Sequence, residues 1–206
     1  MPKFQQRARA LTQYERVLRE KLLVPLPKDP MAIFGSSEAL LLKAYCVLLY
    51  AAIEECLEQT AIEVVVWHAD RWKRLKVPQP TLVLLALCAY HGRGYKKQDK
   101  GSPKAVIAKT GIGDRLDEVT QAFKKLVESN HGIGLYNVKR LFRPLGMTIE
   151  VDPTTESALS QLREYRGEYA HRGYITKLPS VADIEAIADA CLKLCLQLAS
   201  MARSMC

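Results

Sequence analysis

Leu40-Leu41-Leu42-Lys43-Ala44-Tyr45-Cys46-Val47-Leu48-Leu49-Tyr50-Ala51-Ala52-Ile53-Glu54 decides the architecture of this chain. The stretch holds neither Gly nor Pro and shows no strand-like alternation. It is apolar nearly all round up to Ile53 and amphipathic from there to Glu63. A helix of that kind belongs inside a bundle or at an interface. Ser36 or Ser37 is the expected N-cap, and Glu38 suits the positive helix end. The pattern continues towards Trp72, and a helix of about 30 residues is about 45 Å long.

Upstream, Phe4, Ala8, Leu11, Val17, Leu18 and Leu22 keep helical spacing across residues 4–23. The Pro-rich segment Val24–Pro30 ends that helix and reads as an extended linker. Residues 1–30 are therefore expected to be a helical arm with its linker, ahead of a main domain over 31–206.

Downstream, Pro78 and Pro80 break the chain. Leu82–Tyr90 is a short apolar run that suits strand or helix, since periodicity does not decide. A basic, Gly-rich loop follows at His91–Pro103, then two short helices over 104–109 and 114–128. Asn137–Leu145 reads as a helix ended by Gly146. Asp152-Pro153 opens a helix that runs to about Arg172 and stops at Gly173. Ser180-x-x-Asp183 starts the last helix, whose apolar stripe is Ile184, Ile187, Cys191, Leu194, Leu198 and Met201. The expectation is an all-α helical bundle with an inserted helical and loop segment at about 76–129.

A length of 206 residues suits one domain, and 49% hydrophobic content is enough for a packed core. The apolar runs are too short for the ~20 residues of a membrane helix. Met1–Gln6 lacks the apolar core of a secretory signal, so a cytoplasmic protein is expected. The six cysteines are scattered in apolar helical context and read as reduced core thiols. No metal site and no cofactor are expected: Cys191 and Cys195 share a helix face without a nearby His or second Cys pair. The formal charge of +8 is uneven. Residues 71–109 hold 10 basic and 1 acidic groups, whereas 38–70 hold 1 basic and 6 acidic. This favours a polyanionic partner such as nucleic acid, although a solvated basic face has the same composition.

The chemistry-bearing segment is Leu162-Arg163-Glu164-Tyr165-Arg166-Gly167-Glu168-Tyr169-Ala170-His171-Arg172-Gly173. Arg166 can hold a phosphate bidentately, and His171 can move a proton near neutral pH. Together they suffice for metal-free RNA cleavage, with the RNA 2′-OH as nucleophile; DNA lacks that group. Five residues span about 140° around a helix, so the two side chains flank a groove or meet across a symmetric dimer. Taken alone, the spacing fits better an Arg packing its stem and a His complementing the helix C-terminus.

Arg166-x-x-x-x-His171, with Ala170 before the His, resembles the motif helix of HEPN domains. Leu141–Met147 looks like the short helix with Leu-Gly that leads into this helix in RiboL-PSP-type members. Leu40–Glu58, with Leu49-Tyr50-Ala51-Ala52-Ile53-Glu54, resembles their first bundle helix. The resemblance covers roughly 36–75 and 130–202. It implies a HEPN-like antiparallel helical bundle that dimerises through the motif helix. It further implies a composite site for metal-independent endoribonuclease activity, serving as toxin or anti-phage, abortive-infection effector, with an antitoxin or other defence partner. By position, Arg166 and His171 are the active-site pair, and Glu54 is an acid that orients His171. The family usually has a polar residue, often Asn, after the motif Arg; Gly167 stands there instead. Gly173 occupies the position where nucleotidyltransferase-paired members carry Tyr. A non-catalytic HEPN module that binds RNA or a protein is therefore the alternative.

The loop residues Arg93, Tyr95, Lys96, Lys97, Lys100 and Lys104 are candidates to grip RNA phosphate and stack a base, or simply form a surface loop. Ile107–Ile112 is a weak helix-turn-helix pattern, one residue short in its Ala-to-Gly spacing. Gly92-x-Gly94 and Gly111-x-Gly113 lack a preceding strand, which argues against a nucleotide fingerprint. His68 beside Trp67 reads as a packing residue. His91 and His131 have no ligand-spaced partners.

Overall fold

The computed structural model describes residues 3–29, 31–77, 79–91, 112–171 and 178–206; for 87–91, 112 and 169–171 it describes the backbone alone. The described residues are helical and contain no strand. The α-helices are α1 (Phe4–Leu18), α2 (Ser36–Leu75), α3 (Pro80–His91), α4 (Ile112–Glu128), α5 (Leu135–Phe142), α6 (Pro153–His171) and α7 (Val181–Met205). The fold is an all-α helical bundle, as expected.

The Leu40–Glu54 stretch lies in α2, a helix of 40 residues and about 60 Å. It is longer than expected because no breaker precedes Lys76, which takes a left-handed conformation at φ 55. Neither serine caps it. Gly35 is the N-cap, and its N–H donates to Glu38 Oε2 at 2.7 Å. A carboxylate one turn inside thus satisfies the orphan donor in place of a hydroxyl.

Helices α1, α2, α6 and α7 pack on one another as the main bundle, and α4 with α3 covers the second half of α2. One contiguous core runs from Phe4 and Leu11 through Leu42, Leu49, Ile53 and Val64 to Leu159, Leu162, Ile184 and Leu198. The apolar run after Pro80 is helix α3, with Leu82 and Leu85 buried. Expectations for 104–109 and for the basic loop lie outside the described residues.

Helix α1 is tied to its neighbours by a buried carboxylate. Glu15, 4% exposed, accepts from Tyr45 Oη at 2.6 Å and Arg19 Nε at 2.8 Å, and Arg19 reaches Asp189 Oδ1 at 2.7 Å. Burial and the Glu15 carboxylate both push the Tyr45 phenol up. The helix then widens into a π turn at Arg19–Leu23 and does not run evenly to residue 23.

The Asn137–Leu145 expectation divides into α5 and a 3-10 turn at Arg143–Leu145. Pro144 has no N–H for the α ladder, which explains the division. Gly146 ends the turn at φ 88, and a Cβ there would lie 2.7 Å from Leu84 Cδ1 of α3. This position takes glycine for both reasons.

Candidate functional site

Asp152 and Pro153 start α6 as their chemistry dictates. Asp152 Oδ1 accepts the Thr155 N–H at 2.9 Å, and Oδ2 accepts from Thr155 Oγ1 at 2.7 Å. These bonds hold the Asp152 carboxyl below its usual range. From there Thr155, Ala158, Leu159 and Leu162 form the buried stripe that seats α6 on α2 and α7. Arg166 is the next position on that stripe, one turn past Leu162. Tyr165 beside it still packs against the core, while Arg166 is exposed. Its guanidinium carbon lies 5.3 Å from the centre of the Tyr50 ring on α2. A charge stacked on a phenol thus replaces the next buried leucine.

Tyr50 anchors the α2 side. It is 5% exposed, and the backbone of Ile133 lies near its hydroxyl. Burial raises the Tyr50 phenol, and Glu54 raises it further; Arg166, the Ile133 N–H and Arg163 pull the other way. The charges of Glu54, Arg166 and Arg163 are all felt at the hydroxyl, and Arg166 touches the ring itself. Glu54 follows Tyr50 by one turn on α2 and is half-buried, and Glu58 follows by one turn more.

The segment 129–134 closes the third side. Asn130 Nδ2 donates to Glu58 Oε1 at 2.8 Å and to the Gly132 carbonyl at 3.1 Å, while its Oδ1 accepts from Asn137 Nδ2 at 3.1 Å. Burial raises the Glu58 carboxyl; Asn130 and His131 offset part of that, and Glu54 adds to it. Gly132, at φ 152, permits the turn that brings Ile133 to Tyr50.

Arg166 and Glu54 thus share one small area through Tyr50. His171 is the last residue of α6, and its side chain lies outside the described residues. Arg93, Tyr95, Lys96, Lys97, Lys100 and Lys104 also lie outside them. Sequence reasoning missed Tyr50, Arg163, Asn130 and His131. Tyr50 was legible only as the i−4 neighbour of Glu54, and Arg163 as the i−3 neighbour of Arg166. His131 has no ligand-like spacing in sequence, because its neighbour Glu58 comes from a distant helix.

Gly167 has no described atom within 4 Å of where a Cβ would stand, so packing inside one chain does not require it. Among the described residues no group of three or more His, Cys, Asp or Glu side chains is arranged to hold a metal ion. No described helix is long and apolar enough to cross a membrane. His68 is buried at the far end of α2, 3% exposed, with Nε2 3.2 Å from Thr81 Oγ1, which is a packing role.

No curated protein and no solved structure matches the chain. The family model described as RiboL-PSP-HEPN matches residues 11–202. A match that spans residues 11–202, on an all-α bundle, means that this chain belongs to the RiboL-PSP-HEPN family.

Proposed function

We propose that this chain is a metal-independent endoribonuclease of the HEPN type, acting as a toxin or anti-phage effector. One observation carries the reading. Arg166 is exposed at the end of a buried stripe, oriented by Tyr50, and forms no salt bridge with another described residue. A guanidinium so held is available for a phosphate oxygen.

In this reading Arg166 binds the scissile phosphodiester and stabilises the charge that builds on it. The RNA 2′-OH attacks the adjacent phosphorus and the 5′-oxygen leaves. His171, reached along α6, takes the 2′ proton or supplies the proton to the leaving oxygen. Glu54, beside Tyr50, supplies a negative charge that orients the imidazole and favours its protonated form. The site is completed across a homodimer in which the two motif helices face one another. Arg93, Tyr95, Lys96, Lys97, Lys100 and Lys104 capture the strand before cleavage.

The test is RNA cleavage in EDTA. Wild type cuts a single-stranded RNA and spares its DNA counterpart, while Arg166→Ala and His171→Ala each lose at least about 100-fold in rate. Equal cleavage by all three proteins sinks the assignment. Gly167 favours a second reading, because it removes the polar side chain usual after the motif arginine. A non-catalytic HEPN module that binds RNA or a protein partner would show salt-sensitive binding in wild type with no cleavage.

A further inference from the structure

Arg163 lies one turn before Arg166 on α6 and is exposed. It forms no salt bridge with another described residue. Residues three apart on a helix are surface neighbours, with Cβ atoms about 5–6 Å apart. Its guanidinium is not splayed away from the site. Arg163 Nη1 lies 3.6 Å from where a Cβ on Gly134 would stand, over the turn that brings Ile133 to Tyr50. Arg163 and Arg166 both act on the Tyr50 hydroxyl. Arg166 stacks on Tyr50 and Arg163 lies over Gly134, so the two guanidinium groups stand side by side along one face of α6.

The acidic groups nearby do not quench the pair. Glu58 is engaged by Asn130. Glu164 and Glu168 stand at least about 100° round α6 from both arginines. Among the described residues Glu54 is the carboxylate that acts on Tyr50, against the guanidinium groups of Arg166 and Arg163. Arginine's fork engages a phosphate through two donors, so two such side chains suit two phosphates better than one.

We propose that Arg163 is a second phosphate anchor, holding the RNA phosphate next to the one held by Arg166. This rests on the ribonuclease reading and deepens it: the substrate is an extended single strand gripped at two consecutive phosphates. Arg163 acts in binding and register, Arg166 in the reaction.

The test uses the full chain and a short fluorescein-labelled strand of 2′-O-methyl RNA. That strand keeps its phosphates and cannot be cut by 2′-OH attack. Anisotropy is followed over a salt series. Arg163→Gln is expected to weaken binding about tenfold. It is also expected to make the plot of log affinity against log salt shallower by about 0.7. Arg163→Lys keeps the slope. Lys193→Gln, beside Asp152 at the opposite end of α6 and about 16 Å along the helix, changes neither. Arg163 is exposed, so unaltered thermal unfolding of Arg163→Gln confirms the fold. Wild-type affinity and slope in Arg163→Gln, with Arg166→Gln weakened, overturn the second anchor and leave the ribonuclease reading in place. Failure of wild type to bind the strand at any salt overturns both.

Discussion

His68 shows how one buried side chain sets a pH dependence. Its Nε2 meets Thr81 Oγ1, and among the described residues Nδ1 has no partner. Burial lowers its pKa from the ordinary 6.5, the Gln79 side chain opposes that, and the charge of Arg71 adds to it. The folded protein thus takes up the His68 proton at lower pH than the unfolded chain does. As pH falls below about 6.5 the unfolded chain binds its proton first, so stability is lost down to the folded pKa. In urea unfolding, wild type is expected to lose stability as pH falls below about 6.5, and His68→Gln to lose less over the same range. Equal pH profiles would show that other groups govern the acid limb.

Two glycines separate conformational need from choice at the scale of elements. Gly146 ends the turn after α5 at positive φ, with Leu84 Cδ1 where a side chain would go. Gly146→Ala should cost about 1–3 kcal/mol. Gly167 lies in the α6 helix with open space around it. Gly167→Ala should instead raise stability by about 0.5–1 kcal/mol, through helix propensity alone. Chemical denaturation of both variants at low protein concentration checks the pair. A loss in Gly167→Ala would mean that something outside the single chain packs against that position. The helix order also answers the opening question about residues 80–91. That apolar run pairs with α4 and the 3-10 turn, partners that a helix satisfies and local periodicity does not reveal.

For the whole molecule, charge and chemistry are segregated. The +8 excess comes mainly from the arm and from 71–109, while the bundle around Arg166 is close to neutral. Helix α1 is part of that bundle's core through Phe4, Leu11 and the Glu15 network. The proposed activity places one arginine-bearing helix end from each of two copies around a shared cleft. Light scattering at micromolar concentration should give a mass near twice 23.2 kDa. A monomeric mass with full ribonuclease activity would sink the composite site.

Local chemistry was enough to read much of this protein. The breaker-free run Leu40–Glu63, the Asp152-Pro153 start and the Ser180-x-x-Asp183 box are interactions among residues within a turn of one another. They made the helices and the all-α class legible, and the Arg166-x-x-x-x-His171 spacing marked the helix to watch. The surroundings of Arg166 needed the tertiary structure. Tyr50, Ile133 and Arg163 come from three elements, and no sequence period relates residue 50 to 133 or 163. Their meeting depends on how α6 packs against α2 and the 129–134 segment. Long-range packing decides that, and with it whether Arg166 is buried as a structural charge or exposed to solvent.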